Sequence, residues 1–227
     1  PVDGAGVAQP IFKGMQWLAQ RVKKKKLSNP QAADYSYYQQ LYASQGPKDI
    51  VLECGSKTIF GKPLNHYPKF LDKLIAEMNK QASVGAIDHS LLLPNVVPLQ
   101  LIKIGDLTLL CCPGEITIVA AKRLKVTVQQ ELESTQKVWL ASYCNDYMGY
   151  VTTFEEYQQQ AYEGGHTLYG QWTLAALQTK FQYFAEQLNL PIPQRDTASL
   201  LPPAVPLDEL EKRTYRDSLK ANALNEL

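Results

Sequence analysis

Leu107-Thr108-Leu109-Leu110-Cys111-Cys112-Pro113-Gly114-Glu115-Ile116-Thr117 is the stretch on which the reading of this chain turns. Residues 107–112 are apolar almost throughout. A short apolar run of that length predicts a central strand covered on both faces. Leu99 to Ile104 precedes it and alternates in part, and Gly105-Asp106 between them makes a tight turn, so the pair reads as a β-hairpin. Pro113-Gly114 breaks the strand, and Ala120, Leu124 and Val128 recur beyond it at helical spacing. Glu115 therefore stands at a sheet end beside a helix N-terminus, where its negative charge is favoured. Two readings follow: a first-turn carboxylate that stabilises the helix, or a carboxylate placed for chemistry at the end of a sheet.

Outward from this stretch, helices and strands mingle. Ile11, Met15, Leu18 and Val22 predict an amphipathic helix ending in Lys23-Lys24-Lys25-Lys26. Those lysines complement the helix dipole as a solvated end, and a peripheral membrane contact with anionic lipid is their second reading. Residues 30–47 are rich in Tyr and Gln and bounded by Pro30 and Pro47. Ile50-Val51-Leu52 is a short strand signal, and Lys57 to Pro68 reads as loop. Phe70, Leu71, Leu74, Ile75 and Met78 form one helical face, and Val138 to Tyr143 is another strand. Thr153-Phe154-Glu155-Glu156 fits a capping box, which starts a helix near Phe154. Trp172, Ala175, Ala176, Phe181, Phe184 and Leu188 support a further long helix. Pro191, Pro193, Pro202, Pro203 and Pro206 mark an extended tail before a polar C-terminal helix. The division this suggests is residues 1–190 as one domain portion and 191–227 as a tail. The fold class is α/β or α+β, a mixed β-sheet flanked by helices.

Composition narrows the function classes. The 227 residues are 45% hydrophobic and 20% charged, with a net charge of +1. That balance gives no global field for nucleic acid, so no nucleic-acid partner is expected. No apolar run approaches the roughly 18 residues of a spanning helix. The chain begins at Pro1 without an initiator Met or a signal-peptide pattern, which suggests a mature, cleaved or truncated start. Cys111 and Cys112 read as buried thiols, while a bond between Cys54 and Cys144 stays open. His66, His89 and His166 have no zinc-motif spacing.

Tyr143, Tyr147, Tyr150, Tyr157, Tyr162 and Tyr169 crowd into one short stretch. Clustered tyrosines are usually core or interface residues. Here they fall in a pattern: Asn145, Tyr147, Tyr150, Thr152, Thr153, Glu155, Glu156, Tyr157, Tyr162 and Glu163. Together with Pro113-Gly114-Glu115-Ile116-Thr117 and Ala121-Lys122-Arg123-Leu124, this pattern resembles the neutral (non-lysosomal) ceramidases, zinc-dependent amidases that cleave the N-acyl bond of ceramide. The resemblance runs from about Asp3-Gly4 to Pro203 and is weak before residue 94. Ile116 stands where the family has Phe. One Arg and a Gly of the family's Gly-Arg-Arg-Leu are replaced, and Arg123 is kept.

The resemblance implies roles. Glu115 and Tyr150 match zinc ligands, and Tyr162 matches the tyrosine that stabilises the developing oxyanion. A phenol suits either task, since its oxygen can ligate a metal and its proton can be donated to an alkoxide. His166 replaces a small polar residue and reads as a polar neighbour of the site. The family's two histidine ligands and serine nucleophile lie in motifs N-terminal to the matched region, and neither motif is found in this chain. The resemblance thus implies an incomplete half of a larger catalytic domain. Its partner is the N-terminal portion of that domain, its substrate a ceramide-like lipid, its cofactor Zn2+, and its location secreted, extracellular or periplasmic. The competing readings are a non-catalytic binding or structural protein that retains the half-domain, and an unrelated lipid- or peptide-binding domain. Three expectations follow: Glu115 at a strand end in a mixed sheet, Glu115 with Tyr150 and Tyr162 at one cavity, and an apolar face where further chain packs.

Overall fold

In the computed structural model, which describes residues 4–6, 13–66, 73–89, 92–196 and 200–213, the chain opens with β1 (Gly4–Gly6), α1 (Lys13–Lys26) and α2 (Tyr35–Gln45). Three short strands follow, β2 (Ile50–Glu53), β3 (Thr58–Ile59) and β4 (Lys62–Pro63), then α3 (Lys73–Ser83). The central part is β5 (Gln100–Ile104), β6 (Leu107–Cys111), β7 (Glu115–Ile116), α4 (Ile118–Glu131), β8 (Lys137–Ala141) and β9 (Tyr150–Val151). The last helices are α5 (Phe154–Gln158), α6 (Tyr162–Gly165), α7 (Thr173–Leu188) and α8 (Leu207–Lys212). The class is α+β with small sheets, one of them mixed. Among the described residues no helix is long and apolar enough to cross a membrane.

The chain divides into two compact units, residues 1–63 with 91–202, and residues 64–90 with 203–227. In the first unit β5 pairs antiparallel with β6 through the Gly105-Asp106 turn, and β6 pairs parallel with β8. Parallel neighbours need a crossover, and α4 supplies it. Its Leu124 and Val128 bury completely against Leu110, Val138, Leu177 and Phe181. The hairpin thus sits in a mixed sheet with β6 at its centre.

The covering of β6 differs from expectation. Its alternate residues differ: Thr108 and Leu110 are fully buried, whereas Leu107 and Leu109 on the other face are only half-buried, and of that face Cys111 alone is buried. Ile102, Leu109 and Trp139 stand side by side across the three strands, and Ile102 and Trp139 are 41% and 60% exposed. Ile104, opposite Leu107, is 59% exposed. Both α4 and α7 lie on the Leu110 side, so among the described residues the sheet has one covered face and one largely open apolar face.

A second sheet, β1-β2-β3-β4, is antiparallel throughout. The Tyr- and Gln-rich segment, for which no element was expected, forms α2. It buries Tyr38, Leu41, Tyr42 and Gln45, and Tyr38 donates from its hydroxyl to the buried Glu53 carboxylate at 3.0 Å. The lysine run ends α1, but only part of it is solvated. Lys26 pairs with Asp34 at 3.0 Å and lies over the Tyr38 ring, and Lys23 lies over the Tyr42 ring. In the second unit, Glu209 is buried and accepts from the His89 backbone N–H at 2.8 Å and from Arg213 at 2.6 Å. Phe70 and Leu71 of the expected α3 face lie outside the described residues, as does any helix beyond Arg213. Cys111 and Cys112 are buried thiols, and Cys144 is not bonded to Cys54.

Candidate functional site

Pro113-Gly114 turns the chain out of β6, and Glu115-Ile116 then forms a two-residue parallel ladder with Tyr150-Val151. In that ladder Glu115 stands directly opposite Tyr150. Its flanks are fixed by backbone hydrogen bonds: Met148 N–H to Pro113 O at 2.8 Å, Glu115 N–H to Gly149 O at 3.0 Å and Thr117 N–H to Val151 O at 3.0 Å. Gly149 is required here. Its φ is +80°, and a Cβ would meet the His166 carbonyl oxygen at 2.9 Å. That carbonyl accepts the Tyr150 N–H at 3.1 Å, so one backbone contact ties the Tyr150 strand to the turn that bears Tyr162.

The capping box forms as the sequence reads. Thr153 Oγ1 accepts the Glu156 N–H at 3.1 Å, and Glu156 Oε2 accepts the Thr153 N–H at 2.8 Å. The same Glu156 oxygen also accepts from the Thr117 hydroxyl at 2.6 Å, which ties the start of α4 to the start of α5. Tyr157 is wholly buried and donates to Gln45, 2.8 Å from the backbone oxygen and 3.0 Å from Oε1. This anchors α5 to α2. It also separates Tyr157, a core residue, from the tyrosines at the cavity.

Those tyrosines gather on one carboxylate. Tyr147 donates from its hydroxyl to Glu115 Oε1 at 2.6 Å, and the Tyr150 and Tyr143 phenols lie near enough to stabilise the Glu115 charge as well. The three donors, Tyr147 foremost and then Tyr150 and Tyr143, hold the Glu115 carboxyl below the usual carboxylate range. In return, Glu115 pushes the Tyr150 and Tyr143 phenols up. Partial burial and then the Glu115 bond push Tyr147 up to about 12. Near neutral pH the group is therefore one carboxylate anion cradled by three neutral phenols.

Tyr162 stands edge-on to Tyr150, ring centroids 5.6 Å apart, and its side chain is exposed. His166 lies 4.4 Å from the Tyr162 ring, with Nδ1 2.7 Å from the Tyr162 carbonyl oxygen. A cavity of ≈ 750 Å³ opens here, a size that suits a small-molecule site. Glu115, Thr117 and Glu156 line it beside Ile118, Val119 and Tyr150, and the turn that bears Tyr162 contributes Ala161, Glu163 and Gly164. Of the three expected residues, Glu115 and Tyr150 face each other across the ladder and line the cavity, whereas Tyr162 packs against Tyr150 and is not among the lining residues.

Two features were not singled out from sequence. Tyr147 and Tyr143 are the further phenols on Glu115, and Tyr143 holds a φ of +58°. A bulky residue pays roughly 1–3 kcal/mol for such backbone strain, which persists only where surroundings fix it. Tyr147 did lie within the matched pattern, and its spacing three residues before Tyr150 was the available signal. Among the described residues no three His, Cys, Asp or Glu side chains gather as a metal cluster. Arg123, the retained basic residue of α4, instead grips Glu155 through two bonds of 2.8 and 3.2 Å.

The stretch that carries this geometry is also the stretch that matches known proteins. Residues 76–179 match the family model described as neutral/alkaline non-lysosomal ceramidase, N-terminal. A neutral ceramidase of Oryza sativa subsp. japonica is 46% identical over 99 residues, 40% of this chain and 13% of that protein. The neutral ceramidase of Pseudomonas aeruginosa is 44% identical over 107 residues, 46% of this chain and 16% of that protein. The chain therefore spans only a small part of the curated relatives it matches. Among solved structures, a ceramidase complexed with C2 superposes with a TM-score of 0.59 at 27% identity, over 89% of this chain and 28% of that one. The neutral ceramidase from Pseudomonas aeruginosa superposes with a TM-score of 0.55, over 89% of this chain and 26% of that one. In sequence over residues 76–179, and in fold around them, the chain is similar to the neutral ceramidases.

Proposed function

We propose that this chain is part of a zinc-dependent amidohydrolase that cleaves the N-acyl amide bond of ceramide or a related lipid amide. The rest of its site comes from the N-terminal portion of the same catalytic domain, supplied by another chain or another segment. The observation that carries this reading is the ladder that sets Glu115 opposite Tyr150, with Tyr162 edge-on to Tyr150 beside one cavity.

The residues present fit part of a zinc site. An ionised carboxylate and a phenol oxygen lie in contact, and both are acceptable oxygen donors. Zinc favours about four ligands, so the remaining donors come from outside the described residues. When bound, zinc would polarise the amide carbonyl or activate the attacking group. Glu115 and Tyr150 would hold it. Glu115 is ready to ligate because its proton is already gone near neutral pH. Tyr150 would turn its phenol oxygen from Glu115 toward the metal in order to ligate. Tyr162, exposed and edge-on to Tyr150, would donate its hydroxyl hydrogen bond to the oxygen that becomes negative as the carbonyl is attacked. Ile118 and Val119, exposed at the cavity, offer apolar contact to a lipid chain.

The open sheet face supports the need for further chain. Ile102, Ile104, Leu109 and Trp139 form an apolar strip that α4 and α7 leave uncovered, the sort of surface an obligate interface buries. A secreted or periplasmic location belongs to the same reading.

Combining this chain with the N-terminal portion of a neutral ceramidase catalytic domain tests the proposal. The assembly is expected to take up zinc and hydrolyse a fluorescent N-acylsphingosine. Glu115→Ala loses the metal. Tyr162→Phe keeps it but turns over roughly 10²–10³ more slowly, the scale for losing one oxyanion donor. Zinc-dependent hydrolysis by the 227-residue chain alone, or an assembly that folds and takes no zinc, would overturn the reading.

A further inference from the structure

Tyr147 donates to one defined oxygen of Glu115, Oε1, at 2.6 Å. Its ring lies nearly parallel to that of Tyr143, 8° between planes and 6.3 Å between centroids. Tyr143 reaches Glu115 as well, from a residue in the left-handed region of backbone space. The loop that carries the pair is fixed at several points: Cys144 N–H to Cys112 O at 3.3 Å, Asn145 Nδ2–H to Gln100 Oε1 at 2.8 Å and Met148 N–H to Pro113 O. An ordinary surface hydrogen bond needs neither the strained backbone nor the anchored loop.

The third donor, Tyr150, cannot keep its place if it becomes a ligand. A phenol that offers its oxygen to a metal no longer points its proton at Glu115. The carboxylate would then lose the support of Tyr150 just where its orientation matters most. Tyr147 and Tyr143 are the two that remain.

We infer that Tyr147, braced by Tyr143, is a positioning residue that pins Oε1 of Glu115, so that Oε2 is the oxygen presented to the metal. This rests on the zinc reading above. Tyr147 touches neither substrate nor metal in this scheme and acts through Glu115. Removing such an outer partner of a ligating carboxylate typically weakens metal affinity about 10–100-fold.

Tyr147→Phe separates the two ideas. In the assembly of this chain with its complementing portion, chelator competition should show zinc held about 10–100-fold more weakly, with turnover per zinc-loaded site little changed. In the 227-residue chain alone, labelled with ¹³C-carboxyl glutamate, the infrared carboxylate band assigned by its loss in Glu115→Gln should shift in Tyr147→Phe. Tyr143→Phe keeps the stack and should weaken zinc less than Tyr147→Phe. Zinc affinity within about twofold of the parent, or an unmoved carboxylate band, overturns the clamp. If the parent assembly takes no zinc, the functional reading falls, and the infrared band alone decides whether Tyr147 holds Glu115.

Discussion

Tyr157→Phe removes a single oxygen from the interior and should be felt across the first unit. The ring is wholly buried and its packing is unchanged by the substitution. What changes is the proton shared between Gln45 O and Gln45 Oε1. The backbone oxygen keeps one donor, the Lys48 N–H at 3.2 Å, but Oε1 keeps none. Gln45 is itself fully buried, so water cannot replace the lost partner. Orphaning one buried neutral acceptor costs about 1–3 kcal/mol, and a carbonyl that retains a second donor puts this case near the middle, about 1.5–2 kcal/mol. With a urea slope of about 1–3 kcal/mol per molar, the midpoint should fall by roughly 0.5–2 M at unchanged slope. Urea unfolding followed by far-ultraviolet circular dichroism measures it. A midpoint shift under about 0.2 M at equal slope would mean that Gln45 Oε1 finds another donor and that the α2–α5 anchor is misread. Tyr157 is a useful subject because it shares the pattern that holds Tyr150 and Tyr162 while having a purely structural place.

Other substitutions probe the same framework. Thr153→Ala removes the N-cap of α5, and a loss of about 0.5–2 kcal/mol is expected in urea unfolding. An unaltered midpoint would show that the Glu156 contact with Thr117 holds the helix start unaided. Gly149→Ala forces a side chain into positive φ against the His166 carbonyl. It should cost more than about 1 kcal/mol and perturb the Tyr150 and His166 amide resonances; full stability with unmoved resonances would contradict the bend. The Arg123 guanidinium lowers Glu155 from 4.5 to about 2. The folded value lies below the unfolded one, so the contribution is present above about pH 4.5 and fades as pH falls toward about 2. Arg123→Gln should flatten the melting-temperature profile across that window, and an identical profile would remove the ion pair from consideration.

How much of this was legible beforehand depended on whether the signal was local. The hairpin at Leu99–Cys112 and the box at Thr153–Glu156 were, because turn chemistry and capping are written in a few adjacent residues. The helix at Tyr35–Gln45 was not, because its buried face holds a single aliphatic residue, Leu41, among Tyr38, Tyr42 and Gln45. Those polar-tipped residues bury only when Glu53 and Tyr157 meet them from elsewhere in the chain. The two-sided cover expected for Leu107–Cys112 failed for a related reason. Apolar content along a strand records that both faces want cover, not which helices provide it. At the site, the pairing of Glu115 with Tyr150 could be expected from family resemblance but from no periodicity, since 34 intervening positions separate them. The hold of Tyr147 on Glu115 had no sequence mark beyond the spacing of two phenols.

The two-residue ladder between Glu115-Ile116 and Tyr150-Val151 also makes chain continuity dispensable between its halves. Everything from 117 to 149 leaves the ladder and returns to it, and the turn at Glu133-Ser134-Thr135 is the exposed far end of that excursion. Exposed turns of this kind accept cuts and inserted domains. The Glu115 carboxylate and the Tyr150 phenol can therefore be severed from each other along the backbone and still face one another. In evolutionary terms this excursion is a place where length can drift or a module be grafted in, while the ladder's register keeps carboxylate and phenol adjacent.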